Sequence, residues 1–214
     1  MPTITRLERQ KKNPERVNVY LDGEFAFGLP DIDAARLSKG QTLSEAEVAS
    51  LRAQDTLSKA VDQGLRLLAS RPRSVHEVRL ALAKKHDSVV VERALERLTA
   101  LGYLDDAVFA RFWVDNRTAF KPLSVRALRY ELSSKGVPDA VIQAALADVA
   151  ESETALHAAR SQLRRWEGQT RSAFHDHLMV FLQRRGFSYS TAREAIRTLF
   201  EQLDEEHPEF FADA

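Results

Sequence analysis

A shift of 50 residues along the chain matches one apolar pattern to another, and this internal repeat is the feature that most constrains the fold. Under this shift Leu128 matches Leu178, and Lys135-Gly136 matches Arg185-Gly186. A fixed period with matching apolar positions is typical of stacked supersecondary units. The shared glycine and the basic residue before it argue against a coincidental likeness between amphipathic helices.

The opposite shift extends the repeat toward the N-terminus. It matches Ser124 to Ser74 and Leu132 to Leu82, while His86 stands in place of the glycine. Each unit has room for three helices of about a dozen residues. We therefore predict a mainly α fold of tandem three-helix repeats, placed at 56–104, 105–150 and 151–203, after an N-terminal region at 1–55 and before an acidic tail at 204–214.

Helix boundaries are marked by capping residues. Three predicted helices end in glycine followed by an apolar residue, at Gly102-Tyr103, Gly136-Val137 and Gly186-Phe187. Glycine adopts the left-handed conformation after a helix, and the next side chain folds back onto the last turn. Ser44 to Glu47 and Ser74 to Glu77 have the spacing of capping boxes, which predicts helix starts.

The first 30 residues have the pattern of a small β-structure. Asp22-Gly23 lies between two apolar runs, which is a strong hairpin signal because both loop residues need positive φ. Direct pairing across this loop would place Tyr20 opposite Phe25 and Val19 opposite Ala26. One face would then carry Tyr20, Phe25 and Phe27, and the other Val17, Val19, Leu21 and Ala26. Ile4 to Lys11 could add a third strand, and both faces are expected to pack on the helices rather than on a partner.

The net charge of zero conceals a segregation of charge along the chain. Residues 1–55 have a net charge of −1, residues 56–200 of +7, and residues 201–214 of −6. A basic body with an acidic end is typical of proteins that meet nucleic acid, although on charge alone a solvated helical surface is the simpler interpretation. Because Pro208 limits helix continuation, we expect a mobile tail that competes with phosphates for the basic body. Phe210 and Phe211 offer it an apolar anchor, or pack on the last helix.

Several classes of function lack support in the sequence. There is no cysteine, so disulfides, thiolate metal sites and a cysteine nucleophile are excluded, and a cytoplasmic location is expected. No phosphate-binding glycine motif occurs, and no apolar run is long enough to span a bilayer. His175 and His177 would diverge on a helix, and Asp105 and Asp106 fit a helix start better than catalysis. We therefore predict no catalytic, cofactor or metal site.

Basic residues gather on and around the second helix of each repeat, where they could form one stripe that binds a phosphate backbone or an acidic groove. A solvated face is equally compatible with the sequence. A helix-turn-helix DNA-binding regulator is the alternative, but the third helix of the middle repeat, from Pro138 to Val149, has no basic residue and only Gln143 for base contacts. The candidate contact residues are Arg71, Arg73, Lys84, Lys85, Arg111, Lys121, Arg126, Arg129, Lys135, Arg164, Arg165, Arg184 and Arg185.

Three segments together resemble the RecX family of RecA regulators. The stretch from Gly102 to Arg111 is similar to the family's most specific motif, and the stretch from Leu123 to Val137 resembles its continuation. Leu67 to Val78 is similar to the upstream motif. The likeness extends over nearly the whole chain and is weakest in the third repeat. Leu123 and His86 stand where the family pattern has glycine, which puts the local turns in doubt.

The resemblance implies an elongated, curved array of three-helix repeats that binds RecA, both as a monomer and as a filament on DNA. It implies inhibition of ATP hydrolysis, strand exchange and coprotease activity, and weak, non-specific binding to single- and double-stranded DNA. A monomer with no membrane contact and no cofactor is expected. The residues alone support the repeats and the basic body, but they do not identify the partner.

Overall fold

In a computed structural model, which describes residues 1–11 and 13–213, the chain opens with a three-stranded antiparallel sheet. The strands are β1 (Ile4–Arg9), β2 (Arg16–Leu21) and β3 (Glu24–Pro30), in the order β1-β2-β3. Asp22 and Gly23 have φ of 50° and 95°, as the hairpin loop requires. The predicted hairpin is confirmed, and the third strand completes the sheet.

The predicted register of this hairpin is wrong after its first pairs. Tyr20 does lie opposite Phe25, but Val19 lies opposite Phe27 because a bulge accommodates Ala26. The extra residue moves Phe27 to the face of Val19, where both are buried, and leaves Phe25 57% exposed on the other face. The face with Val19 and Phe27 therefore belongs to the core. The prediction that Phe27 lies on the same face as Tyr20 is wrong.

Four helices follow the sheet within a first compact unit, residues 1–104. They are α1 (Asp31–Ala34), α2 (Glu45–Leu68), α3 (Val75–Leu82) and α4 (Ser88–Ala100). Ser44 and Glu47 form the predicted capping box at the start of α2. Since α2 continues through the boundary placed between residues 55 and 56, the lead-in helix and the first helix of the first repeat are one helix.

A buried ion pair joins the sheet to α2. Arg16 on β2 and Asp55 on α2 are both nearly inaccessible and bind each other directly. Arg16 also donates to Ser58 at 2.8 Å, and Asp55 accepts from Lys59 at 2.7 Å. A buried charge is tolerated only when it is paired and hydrogen-bonded in this way.

Seven helices form the second compact unit, residues 105–214, of which the structure describes all but the last residue. They are α5 (Asp106–Phe120), α6 (Val125–Ser134), α7 (Asp139–Leu146), α8 (Glu151–Arg160), α9 (Leu163–Trp166), α10 (Arg171–Arg184) and α11 (Tyr189–Glu206). The first helix of each repeat packs against the third, as α2 on α4, α5 on α7 and α8 on α11. The prediction of tandem three-helix repeats behind a small β-structure is confirmed.

The three predicted glycine stops are present. Gly102, Gly136 and Gly186 have φ of 75°, 72° and 89°. At Gly136 the following residue, Val137, donates its backbone N–H to the carbonyl of Leu132, which is the Schellman arrangement. The same bond closes α4 and α10, so each glycine reverses the chain at a helix end.

At His86 and Leu123, the two positions that depart from the family pattern, the turns form without glycine. His86 has no positive φ, and its backbone N–H and that of Lys85 both donate to the carbonyl of Leu82. Leu123, just before α6, is buried in the core of the second repeat. Side-chain packing and a tight turn therefore replace glycine at these positions.

The acidic end of the chain is docked on the third repeat, which contradicts the expectation of a mobile tail. Phe211 is buried among Phe174, Phe200 and Phe210. Arg171 pairs with Asp204, and its backbone N–H donates to Asp213 at 2.8 Å. Aromatic packing thus outweighs the usual mobility of a chain terminus. Within the described ranges no helix is long and apolar enough to cross a membrane.

Candidate interaction surface

The structure divides the predicted contact residues into two groups. The first group is exposed, and its side chains make no hydrogen bond or ion pair within the described part of the chain: Lys84, Lys85, Arg111, Lys121, Arg126, Arg164 and Arg184. Arg165 is also exposed and lies 5.8 Å from the ring of Trp166. These cations are available to a partner.

The second group is held by internal contacts. Arg71 forms a double hydrogen bond with Glu77 at 3.0 and 3.2 Å, and Arg73 donates to the carbonyl of Leu67 at 2.9 Å. Arg129 on α6 pairs with Asp139 at the start of α7, at 3.0 Å. Because these guanidinium groups already have partners, they offer less positive charge to a ligand than the sequence suggests.

Lys135 belongs to a cluster around Trp113 in the second repeat. Its ammonium lies 4.1 Å from the centre of the indole ring, and the guanidinium of Arg117 lies 4.5 Å from it. Glu131 accepts from the indole N–H and from Arg117, each at 2.7 Å. Trp113 is half-buried, and its ring serves as a platform for two cations.

Arg185 lies at the junction between the second and third repeats. Its guanidinium is partly buried and donates to the carbonyl of Pro122 at 3.3 Å, and it lies 4.8 Å from the ring of Phe181. Burial lowers the pKa of Arg185, and the nearby positive charge of Arg117 lowers that pKa further. Arg185 therefore has a structural role in joining two repeats.

The second helices of these two repeats meet end to end at this junction. Ser124, the N-cap of α6, donates its backbone N–H to the carbonyl of Arg185 at the end of α10. A pocket of about 470 Å³ lies beside the contact, lined by Val125, Arg126, Arg129, Glu151, Gly186 and Ser188. The structure thus brings Arg126 and Arg129 next to the turn that follows Arg184.

This junction does not leave the start of α6 open for an anion. The N–H of Val125 donates to the carboxylate of Glu151 at 3.1 Å, and that of Ala127 donates to the hydroxyl of Ser124. A helix start binds phosphate through unpaired N–H groups, and these are already paired. Any anion here would be bound by the side chain of Arg126.

The third helix of the middle repeat does not resemble a base-reading helix. Gln143, its only candidate for base contacts, donates to Asp139 at 2.7 Å. Ile142 and Leu146 are buried in the core of the repeat. The helix therefore serves packing, which disfavours sequence-specific DNA recognition.

His175 and His177 on α10 each contact neighbouring side chains. His177 stacks on Trp166 with ring centres 5.3 Å apart, and its Nδ1 lies 2.9 Å from Gln169. His175 contacts its neighbour Asp176 at 3.1 Å. In the described residues no group of three or more His, Cys, Asp or Glu side chains is placed to hold a metal ion.

The sequence interpretation missed the exposed apolar side chains of the second helices. Leu80, Tyr130 and Val180 are 55%, 76% and 48% exposed, on α3, α6 and α10. The 50-residue period was the signal that could have found them, since the three residues occupy one repeat position. The apolar residues that the shift matches in the middle repeat, Leu128 and Leu132, are buried, and the exposed position of Tyr130 lies between them.

Comparisons with known proteins agree with this arrangement. Three family models match: "Regulatory protein RecX N-terminal domain" at residues 2–44, "RecX, first three-helix domain" at 60–98 and "RecX, second three-helix domain" at 105–146. The chain is 30% identical to the regulatory protein RecX of Bacillus pumilus, over 98% of this chain and 82% of that protein. It is 35% identical to RecX of Lactobacillus delbrueckii, over 96% and 78%.

A solved structure also matches. The crystal structure of a regulatory protein RecX superimposes with a TM-score of 0.71 at 25% identity, and the match covers 96% of this chain and 100% of that one. A second crystal structure, RecX from Lactobacillus salivarius, has a TM-score of 0.56 at 21% identity and covers 71% of this chain. The second likeness concerns the fold alone.

Proposed function

The chain belongs to the RecX family of regulatory proteins, and from this premise we propose that it binds RecA and RecA–DNA filaments and inhibits their activities. The activities concerned are recombination, ATP hydrolysis and coprotease function, so the protein would modulate DNA repair and the SOS response. It would do so by binding alone, without catalysis of its own. The cytoplasm, where such filaments form, is its proposed location, and it is proposed to act as a monomer.

One structural observation supports this proposal above the others. On or directly after the second helices, Lys84, Lys85, Arg126 and Arg184 are exposed, and their side chains have no partner within the described residues. The acidic residues of α3 and α6 are instead paired internally, Glu77 with Arg71 and Glu131 with Arg117. The positive charge left at the surface suits a filament that contains DNA and acidic protein surface.

Binding to DNA itself is proposed to be weak and independent of sequence. Cations on helix surfaces contact phosphates, which hold a protein on DNA but do not distinguish bases. Since Gln143 is engaged with Asp139, the stand-alone helix-turn-helix regulator remains the disfavoured alternative. Single- and double-stranded DNA would both bind, with affinity falling as salt rises.

A two-arm binding measurement tests the proposal. Single-stranded DNA is immobilised bare in one arm and coated with RecA in the presence of a slowly hydrolysed ATP analogue in the other. We expect the protein to bind the RecA-coated arm more tightly at physiological salt. Equal or weaker binding to the coated arm would contradict a filament-directed function and favour the DNA-binding alternative.

A further inference from the structure

The second helix of every repeat presents an apolar side chain to solvent at the same position. Leu80 on α3, Tyr130 on α6 and Val180 on α10 are separated by 50 residues each and are all about half or more exposed. Tyr130 and Val180 each lie four residues from the nearer end of their helix, so fraying does not explain their exposure, whereas Leu80 lies two residues before the end of α3. The position is therefore a shared property of the repeat.

Other exposed apolar residues are not repeated. Phe120 is 83% exposed, but the 50-residue shift matches it to Ser70 and Thr170. Tyr189 is 60% exposed and matches Asp139. Isolated exposed apolar side chains are common and need no explanation. Recurrence at one position in three repeats does need one, because the core of a repeat does not require it.

The surroundings of these side chains are mostly basic. Lys84 follows Leu80 by four residues, Arg184 follows Val180 by four, and Arg126 precedes Tyr130 by four, so each cation lies on the same helix face or its extension as its apolar neighbour. The side chains of these three cations have no hydrogen bond or ion pair in the described part of the chain. Asp176, which is beside His175, is the exposed acidic exception on α10. On this chain an apolar side chain lies beside a cation at each position. Such a surface is complementary to a partner surface on which acidic side chains border an apolar patch.

Two of these helices follow one another directly. The bond from the N–H of Ser124 to the carbonyl of Arg185 places the start of α6 at the end of α10. Tyr130 and Val180 therefore lie on two helices of the second unit whose ends are in contact. Exposed apolar side chains at one repeat position on adjoining helices suit a partner that itself presents repeated surface.

We propose that Leu80, Tyr130 and Val180 are apolar anchors that dock on RecA protein subunits, at apolar patches bordered by acidic side chains. This inference rests on the proposed function and names the surface that performs it. A protein occupant is favoured over DNA because Leu and Val have no aromatic face for base stacking, so the property common to the three positions is apolarity. Tyr is among the residues that contribute most to the energy of protein interfaces, and the burial of Leu and Val on docking adds the hydrophobic effect.

The test replaces all three anchors with alanine, a residue that favours helix and so preserves the fold. Phe120→Ala is the matched control, since it removes a more exposed aromatic residue from the same repeat. Binding is measured on RecA-coated and on bare single-stranded DNA. We expect the triple variant to bind the filament about tenfold more weakly or worse, while Phe120→Ala stays within about twofold of the unaltered protein.

A second variant keeps the test independent of alanine. Tyr130→Glu preserves helix propensity and places a negative charge against the proposed acidic border, so we expect weaker filament binding than with Tyr130→Ala. Affinity for bare DNA should change little in the triple alanine variant. If its DNA affinity falls as far as its filament affinity, the surface binds DNA and the protein occupant is wrong.

The outcomes separate this inference from the proposed function. If the unaltered protein does not bind RecA-coated DNA in preference to bare DNA, both fail. If the unaltered protein binds the filament and the triple variant matches it within about twofold, only the anchor assignment is overturned. Selective loss of filament binding, with Phe120→Ala unaffected, supports the assignment.

Discussion

Gly186 lies so close to Ser124 that a Cβ atom on it would stand 2.6 Å from the Ser124 hydroxyl oxygen. Ser124 is fully buried, its hydroxyl accepts from the N–H of Ala127, and its own N–H donates to Arg185. The serine therefore has no room to move away. The glycine that ends α10 thus has a second role, which is to let the third repeat approach the second.

Alanine at this position tests that role. Gly186→Ala should lower the free energy of unfolding by the cost of a left-handed alanine and by about 1–3 kcal/mol more for the clash. Gly168→Ala is the matched control, because Gly168 also has positive φ but a Cβ there would meet nothing within 4 Å. Urea unfolding of both variants measures the difference. Equal destabilisation would mean that the close approach contributes nothing.

The cluster around Trp113 depends on one carboxylate. Glu131→Gln removes the charge that balances Arg117, which lies near enough to Arg185 to lower the pKa of Arg185. We expect a loss of about 1.5–3 kcal/mol in stability, the usual value of hydrogen bonds to charged groups. Glu201→Gln, which breaks an exposed pair with Arg197, should cost about 0.3–0.5 kcal/mol. Thermal unfolding that gives the same loss for both would contradict a structural role for the cluster.

The end of the chain belongs to the core of the third repeat. Phe211→Ala removes a buried ring from the cluster with Phe174 and Phe200 and should destabilise the protein by about 3–5 kcal/mol. Changing the exposed Glu205 and Glu206 to glutamine should alter stability by no more than about 0.5 kcal/mol. Calorimetry distinguishes the two cases. If the Phe211 variant is as stable as the charge variant, the end of the chain is not part of the core.

Basic side chains should differ in their contribution to DNA binding according to their internal contacts. Alanine at Lys84, Lys85, Arg126 and Arg184 should reduce the salt dependence of single-stranded DNA binding by about 0.7 per lost phosphate contact. Arg71 and Arg129, which pair with Glu77 and Asp139, are the controls. Their replacement with alanine should reduce the salt dependence of DNA binding less. A titration from low to high salt that gives equal slopes for both sets would contradict this division.

The sequence predicts the elements of this fold whose causes are local. Gly136 and Gly186 end helices because of backbone geometry, and Ser44 starts one through its own hydrogen bonds, so spacing alone locates them. The bulge at Ala26 and the docking of Phe211 depend instead on which distant surface buries them. Local pattern contains no information about such a surface.

The candidate surface shows the same limit. Basic residues were found by composition, but their availability depends on tertiary partners such as Asp139 for Arg129, which the sequence does not reveal. Tyr130 escaped notice because an apolar residue on an amphipathic helix is normally assigned to the core. In the structure Leu128 and Leu132 form the buried face of α6, and Tyr130 lies on the opposite face.

The proposed inhibition is tested by ATP hydrolysis of RecA on single-stranded DNA, measured while this protein is titrated in. Inhibition of a preformed or growing filament predicts that hydrolysis falls progressively and is largely suppressed at or below one molecule of this protein per RecA. Free DNA in excess controls for simple competition for the strand. Hydrolysis that stays unchanged at saturating protein, under conditions where the unaltered chain is folded, would contradict the proposed function.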